Sequence, residues 1–261
     1  MSESRQQAIR NMVVVMGAFA LSRLLGLLRQ GVFGYYFGVG MEMDAYVAAA
    51  RIPELLFLVV AGGALGSAFI PIFTTRLTRG DTEGAWRLSS AIINLLIVII
   101  LPLSLLAILL APWLTRVVIA PQFSPELQAQ TTLLLRIMLL SPAIFGVSGI
   151  LMGVLNAHQH FLIPALAPSI YNIALIIGAA WGGHSGAGAL GAAIATTVGA
   201  GAHLLSQLIG LRLFPARFHL TFGRGDPAVR QVLTLMLPRM LGVAAVQFNF
   251  VITNNLASGL G

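Results

Sequence analysis

The chain has no cysteine and no lysine, and only 9% of its 261 residues are charged. The missing cysteine excludes disulfides, thiolate nucleophiles and cysteine-ligated metals. The missing lysine makes every long basic side chain an arginine, 15 of them against 8 acids. A soluble domain carries about 25% charged residues, so the low charge excludes an ordinary solvated surface. What fills the chain instead is apolar residues, 57% of the total. That composition is expected of an all-α polytopic membrane protein. The net charge of +7 lies mostly in short connections between apolar runs, so the positive-inside rule explains it better than nucleic-acid binding does.

Seven membrane spans are expected, each long enough for the hydrocarbon core. They are 11–37, 44–75, 88–113, 131–155, 163–181, 188–211 and 232–257. The second is long and is expected to tilt or project. With the N-terminus in the cytoplasm, nine arginines fall on cytoplasmic segments, only Arg116 falls outside, and five lie within spans. This bias predicts a cytoplasmic N-terminus in a multi-pass membrane protein. The start, MSESRQQAIRN, shows no cleavage site of small residues, so the first helix is expected to act as the insertion signal. The domain reading is a six-helix lobe over 1–214, a basic cytoplasmic connection over 215–230, and a seventh helix over 231–261 after which the chain is expected to be truncated.

The stretch 21–71 organises the rest. Arg23, Arg29 and Arg51 sit well inside apolar runs, where each charge costs roughly 2.5–3.5 kcal/mol on insertion scales. Such arginines are expected to line a water-filled cavity that accepts an anion; snorkelling to an interface is the alternative. Arg23 and Arg29 lie about 120° apart around a helix axis, so both can border one wide cavity without pointing the same way. Arginine's planar fork suits phosphate oxygens and never deprotonates. Substrate binding is therefore assigned to Arg23, Arg29 and Arg51. Asp44 and Glu54 are the candidate gating or ion-pair residues. Asp44 also fits a helix N-cap, and Glu54, three residues after Arg51, could neutralise it within the helix.

Other features carry plainer roles. Arg136 is expected to reach an interface, and Arg239 follows Pro238, a probable-kink position of structural character. Ala187, Gly191, Ala195 and Gly199 form a close-packing stripe at every fourth residue. Asn172, Gln247, Asn249 and Asn254 are expected to bond across helices. His158 and His160 read as solvated turn residues, too few for a metal site. No Ser/His/Asp set, carboxylate pair or metal cluster indicates an enzyme, and no cofactor is expected.

SRLLGLLRQ at Ser22–Gln30, MDAYVAAARIPELL at Met43–Leu56 and GSAFIPIF at Gly66–Phe73 resemble the opening of the MurJ (MviN) lipid II flippases. APQF at Ala120–Phe123 and LNAHQHFLIPALAPSIYNI at Leu155–Ile173 resemble later parts of the same family. The resemblance implies the MOP-superfamily flippase fold of fourteen helices, two six-helix lobes plus two terminal helices, of which this chain would be the N-terminal lobe and one helix more. It implies a transporter without covalent chemistry, which moves lipid II, the lipid-linked peptidoglycan precursor, to the outer leaflet by alternating access. By position, Arg23 and Arg29 match the family's first-helix cavity arginines, Asp44 its acid at the start of the second helix, and Arg51 a basic position there. Some members carry adjacent arginines and then Glu-Gly after the PxLL element; here those positions read Phe57, Leu58 and Gly62-Gly63, so the charge is distributed differently. The implied partners are lipid II, membrane lipids and a second half of the transporter, with no nucleic acid. The alternatives are a flippase for another undecaprenyl-linked glycan, and a non-transporting scaffold or half-transporter.

Overall fold

A computed structural model describes residues 3–61, 68–238, 241–242 and 246. Among them the chain is helical, with no strand. The helices are α1 (Glu3–Phe37), α2 (Met41–Ala61), α3 (Ile70–Thr78), α4 (Thr82–Trp113), α5 (Pro125–Met138), α6 (Ser141–Ala157), α7 (Leu162–Ser185) and α8 (Ala189–Leu211). A helix over 227–238, α9, follows an extended strap. Five stretches are long and apolar enough to cross a membrane: Met12–Phe37, Thr82–Ile119, Pro125–Ala157, Leu162–Ser185 and Ala189–Leu211. At 1.5 Å per residue, α1 is about 52 Å long and outruns a hydrocarbon core of about 30 Å.

The centre of the bundle is the α7–α8 pair, and the expected small-residue stripe makes it. Gly178 and Gly182 of α7 face Gly191 and Ala195 of α8. A Cβ on Gly191 would lie 2.7 Å from the Gly182 Cα, a clash of backbone on backbone. Any larger residue there forces the two helices apart and forfeits close-range dispersion along their whole seam. Around this pair, α1 packs along α7, α6 along α8, α2 along α5 and α4 along α6. Asn172 of α7 donates to the Ser22 carbonyl of α1 at 3.3 Å, a cross-helix bond of the kind expected. Gln247, Asn249 and Asn254 lie outside the described residues.

Three spans differ from expectation. The second is helical on both sides of 62–67, which lie outside the described residues. The third starts earlier, because Asp81 caps α4 through the Gly84 N–H at 2.9 Å, and it ends in a π turn at Leu114–Ile119. The fourth is one apolar stretch, Pro125–Ala157, but its helix breaks in the middle. Pro142 has no N–H to give the Met138 carbonyl, the Ser141 hydroxyl bonds that carbonyl at 2.7 Å, and the helix restarts. Another proline explains Arg136. Pro112 leaves the Ile108 carbonyl of α4 without its helical donor, and Arg136 Nε donates to it at 3.3 Å. Arg136, itself exposed, thus joins α5 to α4.

The two histidines of the α6–α7 turn are also not loop residues in solvent. His158 lies 4.3 Å centroid to centroid from Phe214 and stacks on Trp86 at 6.0 Å, with Phe73 at 5.8 Å. His160 meets the edge of Phe214. Closing the α6–α7 turn brings both rings onto α3, α4 and the strap, contacts that local polarity does not report. Nor is the basic connection a free linker: the strap after α8 is bonded to α4. His219 N–H donates to Ser90 Oγ at 3.0 Å, and Asn94 Nδ2 donates to the carbonyls of His219 and Thr221. Arg76 completes the closure, donating to the Gly84 carbonyl and to the Asp226 carboxylate.

Candidate functional site

Between α2, α6, α7 and α8 lies a cavity of about 520 Å³. Tyr46, Glu54, Phe57, Phe145, Tyr171 and His203 line it. Its wall is a chain of rings: Phe57 to Phe145 at 5.4 Å, Phe145 to Tyr171 at 5.1 Å and Phe145 to His203 at 5.5 Å. Polar atoms are tied back into the helices. Thr196 donates to its own helix at the Ala192 carbonyl, so it accepts from the Tyr46 hydroxyl at 3.1 Å. His203 Nδ1 is 2.7 Å from Ser148 Oγ. Glu54 is the one carboxylate on this wall.

The five residues singled out from sequence divide into three groups. Arg29, Arg51 and Glu54 come together: Arg29 and Arg51 are the guanidinium groups whose field reaches Glu54, and the field of Arg29 also reaches Tyr46 and Tyr171. Arg29 is half-buried and Arg51 exposed. Arg23 is exposed farther along α1. Asp44 stands apart: α2 begins at Met41, which places Asp44 in the first turn, past the cap position. Among the described residues, none of the three arginines has a carboxylate within 4 Å, so the Arg51–Glu54 pair does not close into a salt bridge. None of them lines the cavity itself; they lie on the α1–α2 side of it. Arg239 lies outside the described residues.

One acid was missed. Glu42 accepts from the Ala189 N–H at 3.0 Å, which caps α8 from the start of α2. The available signal was Gly-Ala-Gly at 186–188 with no Ser, Thr, Asp or Asn cap before α8. A helix without its own cap needs an acceptor from elsewhere, but sequence does not say whose.

The family model described as "Lipid II flippase MurJ" matches residues 33–261. The chain belongs to the MurJ lipid II flippase family. The lipid II flippase MurJ of Burkholderia cenocepacia is 30% identical over 97% of this chain and 50% of its own length. A probable lipid II flippase MurJ of Rhizobium tropici is 28% identical over 96% of this chain and 48% of its own. The chain thus spans about half the length of the curated MurJ relatives it matches. A solved MurJ in an inward closed conformation superposes with a TM-score of 0.74 at 29% identity, covering 92% of this chain and 49% of that one. The bent form of the Vibrio cholerae MATE transporter VcmN gives 0.71 at 17% identity, over 99% and 58%; that likeness shows the shared fold alone. The expected fold class, a lobe of the MOP-superfamily architecture in a multi-pass membrane protein, therefore holds.

Proposed function

We propose that this chain forms the N-terminal lobe of a lipid II flippase, with Arg29, Arg51 and Arg23 meeting the pyrophosphate of the lipid-linked precursor. One observation carries the reading: three guanidinium groups on the α1–α2 side of the cavity have no salt bridge among the described residues, while Arg76, elsewhere in the lobe, has a full set of acceptors. Charges kept at bilayer depth without a partner are supported only by water or by a ligand. Glu54 stands close enough to act as a counter-ion when the anion is absent, and Asp44 remains the candidate for a gate at the other end of α2. Transport by alternating access needs a second bundle rocking against this one, so residues 1–214 act as one lobe and 215–230 as the connection; of the expected seventh helix over 231–261, only 231–238, 241–242 and 246 are among the described residues. The N-terminus faces the cytoplasm of the inner membrane, in keeping with the arginine bias.

The test joins this chain to the complementary half of a MurJ relative and follows labelled lipid II across liposomes. Translocation should occur and should fall at least about a hundredfold in Arg29→Ala, in line with the few kcal/mol lost with a charged contact. Arg29→Lys should restore little of it. Transport by Arg29→Ala and Arg51→Ala at the parent rate would overturn the assignment.

A further inference from the structure

The strap from 212 to 226 is amphipathic in an unusual sense. Over 218–222 its polar residues face the protein and its apolar residues face out. His219 and Thr221 are half-buried and give their backbone groups to Ser90 and Asn94 of α4. Phe218, Leu220 and Phe222, between and beside them, are exposed, Leu220 at 90%. The chain turns at Leu220, where the Thr221 N–H bonds the His219 carbonyl at 2.9 Å, and with His219 and Thr221 held on α4 the three apolar side chains are left outward. In water this arrangement is unfavourable by the full cost of three bare apolar side chains. Against hydrocarbon it is favourable.

Beside the strap is a groove of about 680 Å³ between α4 and α9. Leu95, Val98 and Leu233 form its apolar side, and Arg224 and Arg230 stand on it. Both arginines are exposed, and among the described residues neither has a carboxylate within 4 Å. Asp226 lies between them in sequence but is already engaged: it accepts from Arg76 at 2.5 Å and from the Ala228 N–H at 2.9 Å. The acid that would repel an anion is neutralised from inside the lobe. The same bonds use up amide groups at the start of α9, so an anion there would be held by side chains.

We propose that the strap and this groove form a binding site for an anionic phospholipid, its phosphate between Arg224 and Arg230 and an acyl chain along Leu95, Val98 and Leu233. Charge selects the occupant. Arg212, Arg217, Arg224 and Arg230 surround the apolar row, and only Arg217 has an acid near it, Glu83 at 3.9 Å. A second copy of this chain would bring two like-charged strips together. A leaflet containing anionic lipid offers opposite charge and hydrocarbon at once.

The test needs no lipid II. The 261-residue chain is purified in a neutral detergent and titrated with phosphatidylglycerol or phosphatidylcholine, and bound lipid is counted by native mass spectrometry. Phosphatidylglycerol should bind in preference. Arg224→Gln with Arg230→Gln should weaken it about tenfold or more, while Arg212→Gln with Arg217→Gln should weaken it far less. Equal binding of the two lipids by the parent chain, or equal loss in both double variants, would overturn the site. Because the chain has no cysteine, Leu220→Cys also takes a single nitroxide in anionic nanodiscs without altering the groove. Strong relaxation by oxygen and weak relaxation by a water-soluble nickel chelate is expected. Water-like exposure of the label overturns the proposal, as does protection from both agents, which would mean that protein covers the strap.

Discussion

Arg76 and Arg51 make the most instructive comparison in the molecule. Both sit on helices rich in apolar residues. Arg76, at the end of the bundle that carries the strap, bonds the Gly84 carbonyl at 2.6 Å and the Asp226 carboxylate at 2.5 Å, with Asp81 at 3.9 Å. It thereby ties α3, the start of α4 and the start of α9 into one unit. Arg51, on α2, stands exposed with Glu54 in its field but not in contact. On the proposed function, the difference is one of folding versus binding. A partnered charge at a helix junction holds geometry; an unpartnered charge beside a cavity leaves its donors for something that arrives later. The strap end is closed by polar bonds, whereas the arginines on the α1–α2 side have no salt bridge among the described residues.

Substitutions can break that contrast. The largest stability effect is expected for Arg76→Ala, which strands Asp226 in a site only about one-fifth exposed. Loss of one partner of such a pair costs about 3 kcal/mol. The check is the thermal midpoint in detergent, together with faster proteolysis in the strap. If Arg51→Ala lowers the midpoint as much as Arg76→Ala, the distinction between the two arginines fails.

Acid should act more gently on the same pair. Burial alone would raise the Asp226 carboxyl, but the Arg76 hydrogen bond, the Ala228 N–H, the Arg76 charge and the Val229 N–H together hold it below the ordinary carboxylate range. A depressed native value means that the stabilisation is complete above the unfolded value and is lost as pH falls through the native one. The midpoint difference between the parent and Asp226→Asn should thus be constant near neutrality and shrink only below about pH 4. A difference that vanishes already at pH 6 would show that the pair contributes nothing.

The smallest effect sharpens the other side of the comparison. Glu54→Gln should leave stability within about 0.5 kcal/mol, because no ion pair closes there. It should nevertheless tighten binding of a soluble pyrophosphate ester by roughly 1 kcal/mol, since a nearby competing charge is gone. Equilibrium binding to the purified chain measures this directly, and weaker binding in Glu54→Gln would make the carboxylate a ligand-positioning group instead of a counter-ion.

Much of this was legible because it depends on short-range pattern. Apolar length marked the spans. The four-residue repeat of small side chains marked the α7–α8 seam, and it is found there, with Gly191 against Gly182. Where proline interrupts, the pattern gave the span but not its break: the run from 131 to 155 stays apolar through Pro142, so hydropathy marks one stretch without showing that backbone donors run out and the helix restarts. Helix propensity and hydropathy also carried no sign that Glu42 caps α8, that Arg136 answers the carbonyl left by Pro112, or that His158 sits among Phe73, Trp86 and Phe214.

The sequence by itself determined that the chain is helical and membrane-spanning, and which residues hold charge inside apolar runs, because hydration cost is a property of each residue and of its immediate neighbours. Only the tertiary structure decided which of those charges are satisfied. A guanidinium group needs acceptors within about 3 Å, and those that Arg76 found, Gly84 and Asp226, come from two other segments. The same reason separates the two basic regions. Arg76 and Arg224 read alike along the chain, as arginines beside an apolar helix, until folding places Asp226 against one and leaves the other facing out.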